Sequence, residues 1–424
     1  MLTKLRAMTA RCSKALLCVC FRGPIMMTGY GIAKNWTAAV THGLRHAGLS
    51  LACIVLFLAA GAAQAAMETK AKHAILYDMS NGTVLFEKAA DVPFEPGSLA
   101  KLMTLDMIFE ALDEGSVTME TTYPVSEFAW RTGGAPARTT TMFAALKSEV
   151  PVSALIRGII VQNANDACII SAEGSAGSEA AFAKRMTARA RELGMTQSQF
   201  ANSTGLPGST TRMSARDVSI LAEHLIRDHP QLYKIFSEEA FTWNNIYQRN
   251  RMALYGHSIG IDGLKDGFAE GAGHSLVSST TQDGRRLIAV VSGLPDADQR
   301  DAAILSLLRY GYEEFQTVRL FDANETVAEA RVFGGAKGYV PLVSYVPVSM
   351  TLPSDGREAY RMRVAYTGPI PAPVKKGLKI GEVRLYKDKT LVHTAPLFTG
   401  EEIAVGRLDQ RAVDGARELL FGWW

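Results

Sequence analysis

Ser98 and Lys101 stand three residues apart in Pro96-Gly-Ser-Leu-Ala-Lys101. On a helix that spacing brings the hydroxyl and the amine to one face, within hydrogen-bond reach. A serine is a weak nucleophile until a base takes its proton. A lysine is such a base when desolvation or a neighbouring cation lowers its pKa and leaves a neutral amine. A helix N-terminus also favours the negative charge that develops on attack. About one or two such pairs are expected by chance in a chain of 424 residues. Two further groups give it weight. Val161-Gln-Asn-Ala-Asn-Asp-Ala167 sets the amides of Asn163 and Asn165 two residues apart. Gly260-Ile-Asp-Gly-Leu-Lys-Asp-Gly-Phe-Ala-Glu-Gly-Ala-Gly273 places Lys265 in a glycine-rich segment that leads into a strand.

The elements that must hold these groups are legible in the hydrophobic pattern. Ala74 to Phe86 predicts a hairpin, two apolar strands around Asn81-Gly82. Ser98 to Leu112 has helical apolar spacing, with Pro96-Gly97 at entry and Gly115 at exit. Val152 to Ala172, Glu179 to Leu193 and Ser214 to Arg227 predict further helices, the last with Ser214 and Asp217 as an imperfect capping box. Strands from His274 and from Arg286 flank Gln282-Asp-Gly284, and Asp298 to Tyr312 predicts a closing helix. Strands, then helices, then strands imply an α+β layer fold whose sheet joins strands from both ends of the domain. Near Asn324 the composition turns to Val, Tyr and Thr with Gly/Pro punctuation, which predicts a small β-rich domain. Leu408 to Trp424 returns to a helical pattern and ends in an aliphatic and aromatic cluster, which either packs on the β-rich domain or lies on a membrane surface.

Composition narrows the class. With 47% apolar and 21% charged residues, the chain is neither disordered nor a polytopic membrane protein. The net charge of +3 is unevenly placed. Residues 1–66 hold seven Lys/Arg and no Asp or Glu, so 38 basic side chains face 42 acidic ones beyond them. The overall basicity therefore carries no argument for nucleic-acid binding. Cys168 is the one cysteine after residue 66, so it forms no intramolecular disulfide there, and no Cys/His spacing reads as zinc. Cys168 is expected to be a small buried hydrophobe. Ser50 to Ala63 is a short apolar run preceded by Arg45 and followed by Ala63-Gln-Ala65, the order of a secretory signal peptide. Met26 or Met27 would be a more usual start for such a leader. An exported mature chain starting near Ala66 or Met67 is expected, with an uncleaved anchor as the alternative.

The order and spacing of the three groups resemble those of the D-alanyl-D-alanine carboxypeptidases, the low-molecular-mass penicillin-binding proteins of the Ser-x-x-Lys serine peptidase type. The resemblance runs from about Lys72 to the C-terminus and includes Phe200-Ala-Asn-Ser-Thr-Gly-Leu-Pro207, Arg216-Asp217 and Phe241-Thr-Trp-Asn244. It implies a β-lactamase/transpeptidase-like fold, an antiparallel sheet flanked by helices, followed by a small β-rich domain. The implied division is 1–66 leader with N-terminal extension, 67–320 catalytic domain, 321–406 β-rich domain and 407–424 amphipathic tail. The resemblance also implies the chemistry. Ser98 attacks the carbonyl between two D-alanines of a peptidoglycan stem peptide, and Lys101 accepts its proton. Backbone N–H groups of Ser98 and Phe268 form an oxyanion hole. Asn163 and Asn165 belong to the catalytic set, and Lys265, Asp266, Gly267, Phe268 and Arg300 to substrate binding, with Lys265 and Arg300 holding the substrate carboxylate. No metal or organic cofactor is implied. The implied partners are the stem peptide and β-lactams, with no nucleic acid and with peripheral membrane contact through the tail. The implied location is the periplasm, at the outer face of the inner membrane.

Two departures stand out. The family's Ser-x-Asn is Asn163-Ala-Asn165 here, and an amide has no readily exchanged hydroxyl proton to relay. The family's Lys-Thr-Gly is Lys265-Asp-Gly267, and Ala269 stands where a second threonine is usual. Asp266 repels a substrate carboxylate unless it is paired. Two like charges about 4 Å apart cost about 1 kcal/mol in water and about 4 near a protein surface. These departures leave two alternatives to a working carboxypeptidase: an endopeptidase or amidase of altered specificity, and a weakly catalytic or inactive wall-binding protein. A broad-spectrum β-lactamase fits less well, because no deacylating glutamate motif is visible. His257 and His274 are expected to be surface or packing residues, and Asp166 to support its loop. Trp130 and Arg131 lie in a segment that the sequence does not place.

Overall fold

The computed structural model describes residues 67–421 apart from 209, 253, 255, 257, 258 and 356, with side chains described to residue 416. The expected leader and its cleavage site, His257 and the terminal Trp423-Trp424 lie outside the described residues. Strands β1 (His73–Asp78) and β2 (Thr83–Lys88) form the expected antiparallel hairpin. Gly97–Ala100 forms a 3-10 turn that runs directly into helix α1 (Lys101–Asp113). The helix expected over 98–112 is therefore present, with a tightened first turn.

The apolar run from Val152 predicts one helix to Ala172, and the structure divides it into α2 (Val152–Val161) and α3 (Asn165–Ala176). Asn163 sits between them at φ 61°, and Ala164 is extended. The left-handed region is foreign to an α-helix interior, and Asn tolerates it better than most residues. The break places the two amides at a corner between helices. Helices α4 (Glu179–Glu192) and α5 (Ala215–Asp228) are capped by Ser178 and Ser214, whose hydroxyls accept from the backbone N–H of Ala181 and Asp217.

Strands β3 (Ile261–Ala269), β4 (Gly273–Gln282) and β5 (Arg285–Leu294) precede helix α6 (Ala297–Glu313). The sheet runs β2-β1-β5-β4-β3, antiparallel throughout, so the first strands of the domain pair with the last. Side chains alternate between the two faces of a strand. Ile288 and Val290 of β5 enter the larger core with α1, α2, α3 and α5, while Leu287, Ala289 and Val291 pack with Ile304, Leu307 and Leu308 of α6. Both faces are covered, so β5 is apolar without interruption from Leu287 to Val291. Each fully buried Leu or Ile contributes about 1.5–3 kcal/mol. Strand β3 is the sheet's edge, and the Gly97–Ala100 turn docks against it.

From Phe315 the chain is almost wholly strands. A six-stranded sheet and a separate pair, Phe315–Phe321 with Val348–Pro353, enclose Val332, Val340, Leu342, Met350, Val383, Leu385 and Leu397. Thr351 Oγ1 donates to Asp78 Oδ2 at 2.7 Å and accepts from Asn81 Nδ2 at 2.6 Å, joining this part to the first hairpin. A last helix spans Leu408–Phe421. Among the described residues, no helix is long and apolar enough to cross a membrane.

Candidate active site

Lys101 Nζ lies 2.8 Å from Ser98 Oγ. The lysine is 1% exposed. Burial disfavours its ammonium and brings its pKa down to about 8, against weaker pulls from Cys168 and Asp266. Lys265 is 3% exposed, and its Nζ donates to Ile159 O at 2.8 Å. Burial, followed by the Lys101 charge, lowers it to about 7. Cys168 is fully buried near both lysines. Its own burial pushes the thiol up to about 12, so no thiolate compensates the two amines. The buried-hydrophobe expectation for Cys168 therefore holds, in a position that the sequence did not reveal.

The nucleophile turn is clamped by close backbone approaches. Gly97 has φ 53°, and a Cβ there would fall 2.3 Å from Phe268 O. A Cβ at Gly205 would fall 1.8 Å from Gly97 O, and one at Gly267 would fall 2.4 Å from Pro96 O. The turn thus lies between edge strand β3 and the loop around Gly205. That loop is held by Asn202 Oδ1, which accepts from Gly205 N at 2.8 Å, and by Thr104 of α1, which donates to Ser203 O at 2.6 Å. The Phe200–Pro207 motif therefore supports the nucleophile from behind.

Asp166 supports the second motif. Its carboxylate accepts from Thr141 Oγ1 at 2.6 Å and from the backbone N–H of Met142 at 2.9 Å and Ala144 at 3.1 Å. The loop at 139–144 is thereby drawn over the corner. Thr140 Oγ1 donates to Asn163 O at 2.7 Å, and Asn165 Nδ2 donates to Thr139 Oγ1 at 3.1 Å. The amide N–H of Asn165 is thus directed to the threonines. The side-chain oxygens of Asn163 and Asn165 are buried and accept no hydrogen bond from the described residues. Both are acceptors suited to a substrate amide N–H.

Arg300 and Asp266 meet, with 3.5 Å between Nη1 and Oδ2. Arg300 Nε also contacts Asp301 Oδ1 at 2.8 Å, and the arginine is 5% exposed. The neutralisation that Asp266 requires is therefore present, and Arg300 is shared between two carboxylates. Phe268 is exposed and its ring lies 4.6 Å from that of His274, which makes His274 a packing residue as expected. Trp130 packs against the larger core, and Arg131 pairs with Glu127 at the surface.

The structure thus brings Ser98, Lys101, Lys265 and Asp266 together, with Gly267 and Phe268 against the turn and Arg300 beside Asp266. Sequence reasoning missed Thr139, Thr140 and Asp301. The first two carry no signal in a run of three threonines. Asp301 was visible as the neighbour of Arg300.

A hydroxyl and a desolvated amine at a helix start, beside the edge of an antiparallel sheet with helices on both faces, define a serine acyl-transfer enzyme of the penicillin-binding class. The family profile for D-alanyl-D-alanine carboxypeptidase matches residues 59–295, and that for the C-terminal domain of penicillin-binding protein 5 matches residues 315–405. D-alanyl-D-alanine carboxypeptidase DacC of Escherichia coli is 33% identical over 386 residues, covering 89% of this chain and 96% of the relative. DacA of Haemophilus influenzae is 34% identical over 312 residues, 73% of this chain and 79% of the relative. The crystal structure of penicillin-binding protein 5 from Haemophilus influenzae superposes with a TM-score of 0.70 at 32% identity, covering 80% of this chain and 98% of that one. The chain belongs to the D-alanyl-D-alanine carboxypeptidase family.

Proposed function

We propose that this protein removes the terminal D-alanine from peptidoglycan stem pentapeptides through an acyl-enzyme on Ser98. The observation that carries the reading is the Lys101–Ser98 contact of 2.8 Å with the lysine desolvated to a pKa of about 8. At pH 7 roughly one-tenth of such an amine is neutral, compared with less than one-thousandth at the ordinary lysine value. In the neutral form Lys101 accepts the Ser98 proton as Oγ attacks the carbonyl carbon. The new oxyanion is held by the backbone N–H groups of Ser98 and Phe268, which the Gly97–Phe268 contact keeps adjacent. Lys101 returns the proton to the leaving D-alanine amine, and water then hydrolyses the ester.

Asn163 and Asn165 receive the substrate's amide N–H groups on their unpartnered oxygens. Arg300 engages the terminal carboxylate, with Asp266 and Asp301 tempering its charge. Lys265, whose Nζ donates to Ile159 O and whose charge is weakened by burial and by Lys101, stands with Arg300 at the carboxylate end of the substrate. β-Lactams acylate the same serine. Penicillin-binding protein D2 from Listeria monocytogenes, 26% identical over 59% of this chain with a TM-score of 0.51, has been seen in ampicillin-bound and cefotaxime-bound forms. The division at residues 320 and 406, export to the periplasm and contact of the 407–424 tail with the outer face of the inner membrane complete the proposal.

The test is incubation with a fluorescent penicillin and, separately, with a D-Ala-D-Ala pentapeptide. An adduct on Ser98 with D-alanine release is expected, and Ser98→Ala is expected to abolish both. An adduct without release would move the reading to altered specificity, and neither signal would move it to wall binding alone.

A further inference from the structure

Helix α1 carries a second cluster of ionisable groups beyond Lys101. Asp106 and Glu110 stand one turn apart on it, His224 projects from α5, and His229 follows the end of α5. Asp106 is fully buried, His229 is 4% exposed and His224 8%. His224 Nε2 lies 3.1 Å from Asp106 Oδ1 and 3.4 Å from Glu110 Oε1. His229 Nε2 lies 4.0 and 3.5 Å from the same two oxygens. All four atoms fall within 4.8 Å of one another. Ligand bonds of about 2.0–2.2 Å to a tetrahedral zinc ion put neighbouring donor atoms roughly 3.3–3.6 Å apart. The observed separations scatter around that value.

Two independent observations point to an occupant. Asp106 Oδ1 and His229 Nε2 are buried and have no well-aligned hydrogen-bond donor or acceptor among the described residues, the 3.1 Å approach of His224 Nε2 to Asp106 Oδ1 being a charge contact. In addition, each histidine's outer nitrogen is held by a carboxylate: His224 Nδ1 by Asp228 Oδ2 at 2.5 Å, and His229 Nδ1 by Asp113 Oδ2 at 2.8 Å. Carboxylates placed on the outer nitrogen in this way are a common orienting contact of metal-bound histidines. Charge agrees, because Asp106, Glu110, Asp113 and Asp228 outnumber the guanidiniums of Arg189 and Arg227 that touch them.

Arg189 is the competitor. Its Nε is 3.2 Å from Asp106 Oδ2, its Nη2 meets Glu110, and the same nitrogen is 3.2 Å from His224 Nε2. Its other arm reaches Glu192 at 3.4 Å, on the solvent side. A long side chain in that position can withdraw outward when a divalent ion enters.

We propose that Asp106, Glu110, His224 and His229 form a structural zinc(II) site that ties α1 to α5. Two imidazoles and two carboxylates suit zinc, and four protein ligands close the coordination shell, as structural sites do. The site is separate from the hydrolytic groups and anchors the helix that presents Lys101.

The test uses untagged full-length protein stripped with a chelator. Titration with Co²⁺ is expected to give the intense visible bands of a tetrahedral ion at one equivalent, and one equivalent of Zn²⁺ should bleach them. Native mass spectrometry should show one zinc, and saturating Zn²⁺ should raise Tm by about 5 °C or more. Asp106→Asn and His229→Gln should lose the bands. Arg189→Ala should keep them and bind about tenfold tighter, and Ser98→Ala should leave them unchanged. The opposite pattern would overturn the proposal: wild-type protein without tetrahedral bands or stoichiometric zinc, and Arg189→Ala destabilised with no recovery on adding Zn²⁺. The cluster would then be an ion-pair network with Arg189 as its resident cation.

Discussion

The two ends of helix α1 bury charge in opposite ways. At its first residue, Lys101 is enclosed with no carboxylate among the described residues in hydrogen-bond contact, and it loses affinity for its proton. One and two turns further on, the buried Asp106 and the half-buried Glu110 have Arg189, His224 and His229 around them. Burial without a counter-charge makes an amine into a base at neutral pH. Burial with counter-charges fixes cations in place and serves architecture. One helix thus carries the reactive pair at its start and its anchor further along, and the difference lies in which partners the neighbouring helix supplies. To the first end α3 supplies Cys168, neutral at physiological pH. To the second α5 supplies His224 and, just past its end, His229.

The largest expected effect comes from exporting the second regime into the first. Cys168→Asp would set a carboxylate where a neutral thiol now faces both lysines. An opposite charge at such range raises a lysine pKa by about 1–3 units. Acylation by benzylpenicillin at pH 7, followed by intact mass, should then fall at least tenfold and recover as pH rises. Cys168→Ser should leave the profile in place. A Cys168→Asp profile that overlays the wild type would break the comparison.

A smaller effect is expected at the substrate end. Asp266→Thr removes one of the two carboxylates that share Arg300. KM for a D-Ala-D-Ala peptide should fall about tenfold, in line with about 1–4 kcal/mol of relieved repulsion in part offset by the lost ion pair. The KM for the same peptide with a C-terminal amide should not change. Equal changes for both peptides would show that Asp266 acts on the site's shape rather than its charge.

Much of this was legible before the structure. The hairpin at Asn81-Gly82, helix α1, the capped helix α5 and the pairing of the first strands with the last all follow from local periodicity and turn chemistry. Ser98, Lys101, Lys265 and Arg300 were visible through spacing. The break at Asn163 was not, because Val161, Ala164 and Ala167 continue the apolar pattern across it while a single left-handed residue ends the helix. The burial of Lys265 onto Ile159 O and the sharing of Arg300 with Asp301 are three-dimensional facts with no local trace. The zinc ligands were hidden for the same reason. They come from α1 and from α5 with the residue just past its end, more than a hundred residues away, and no Cys/His spacing announces them.

The most direct measurement is the pH dependence of penicillin acylation on wild-type protein, with the adduct mapped to Ser98. If a desolvated Lys101 is the base, its neutral fraction rises tenfold per pH unit below its pKa. The rate should climb from pH 6 with that slope and level off above about 8, the value that burial gives the lysine. A rate flat between pH 6 and 8, or an adduct on any residue other than Ser98, would contradict the assignment of nucleophile and base.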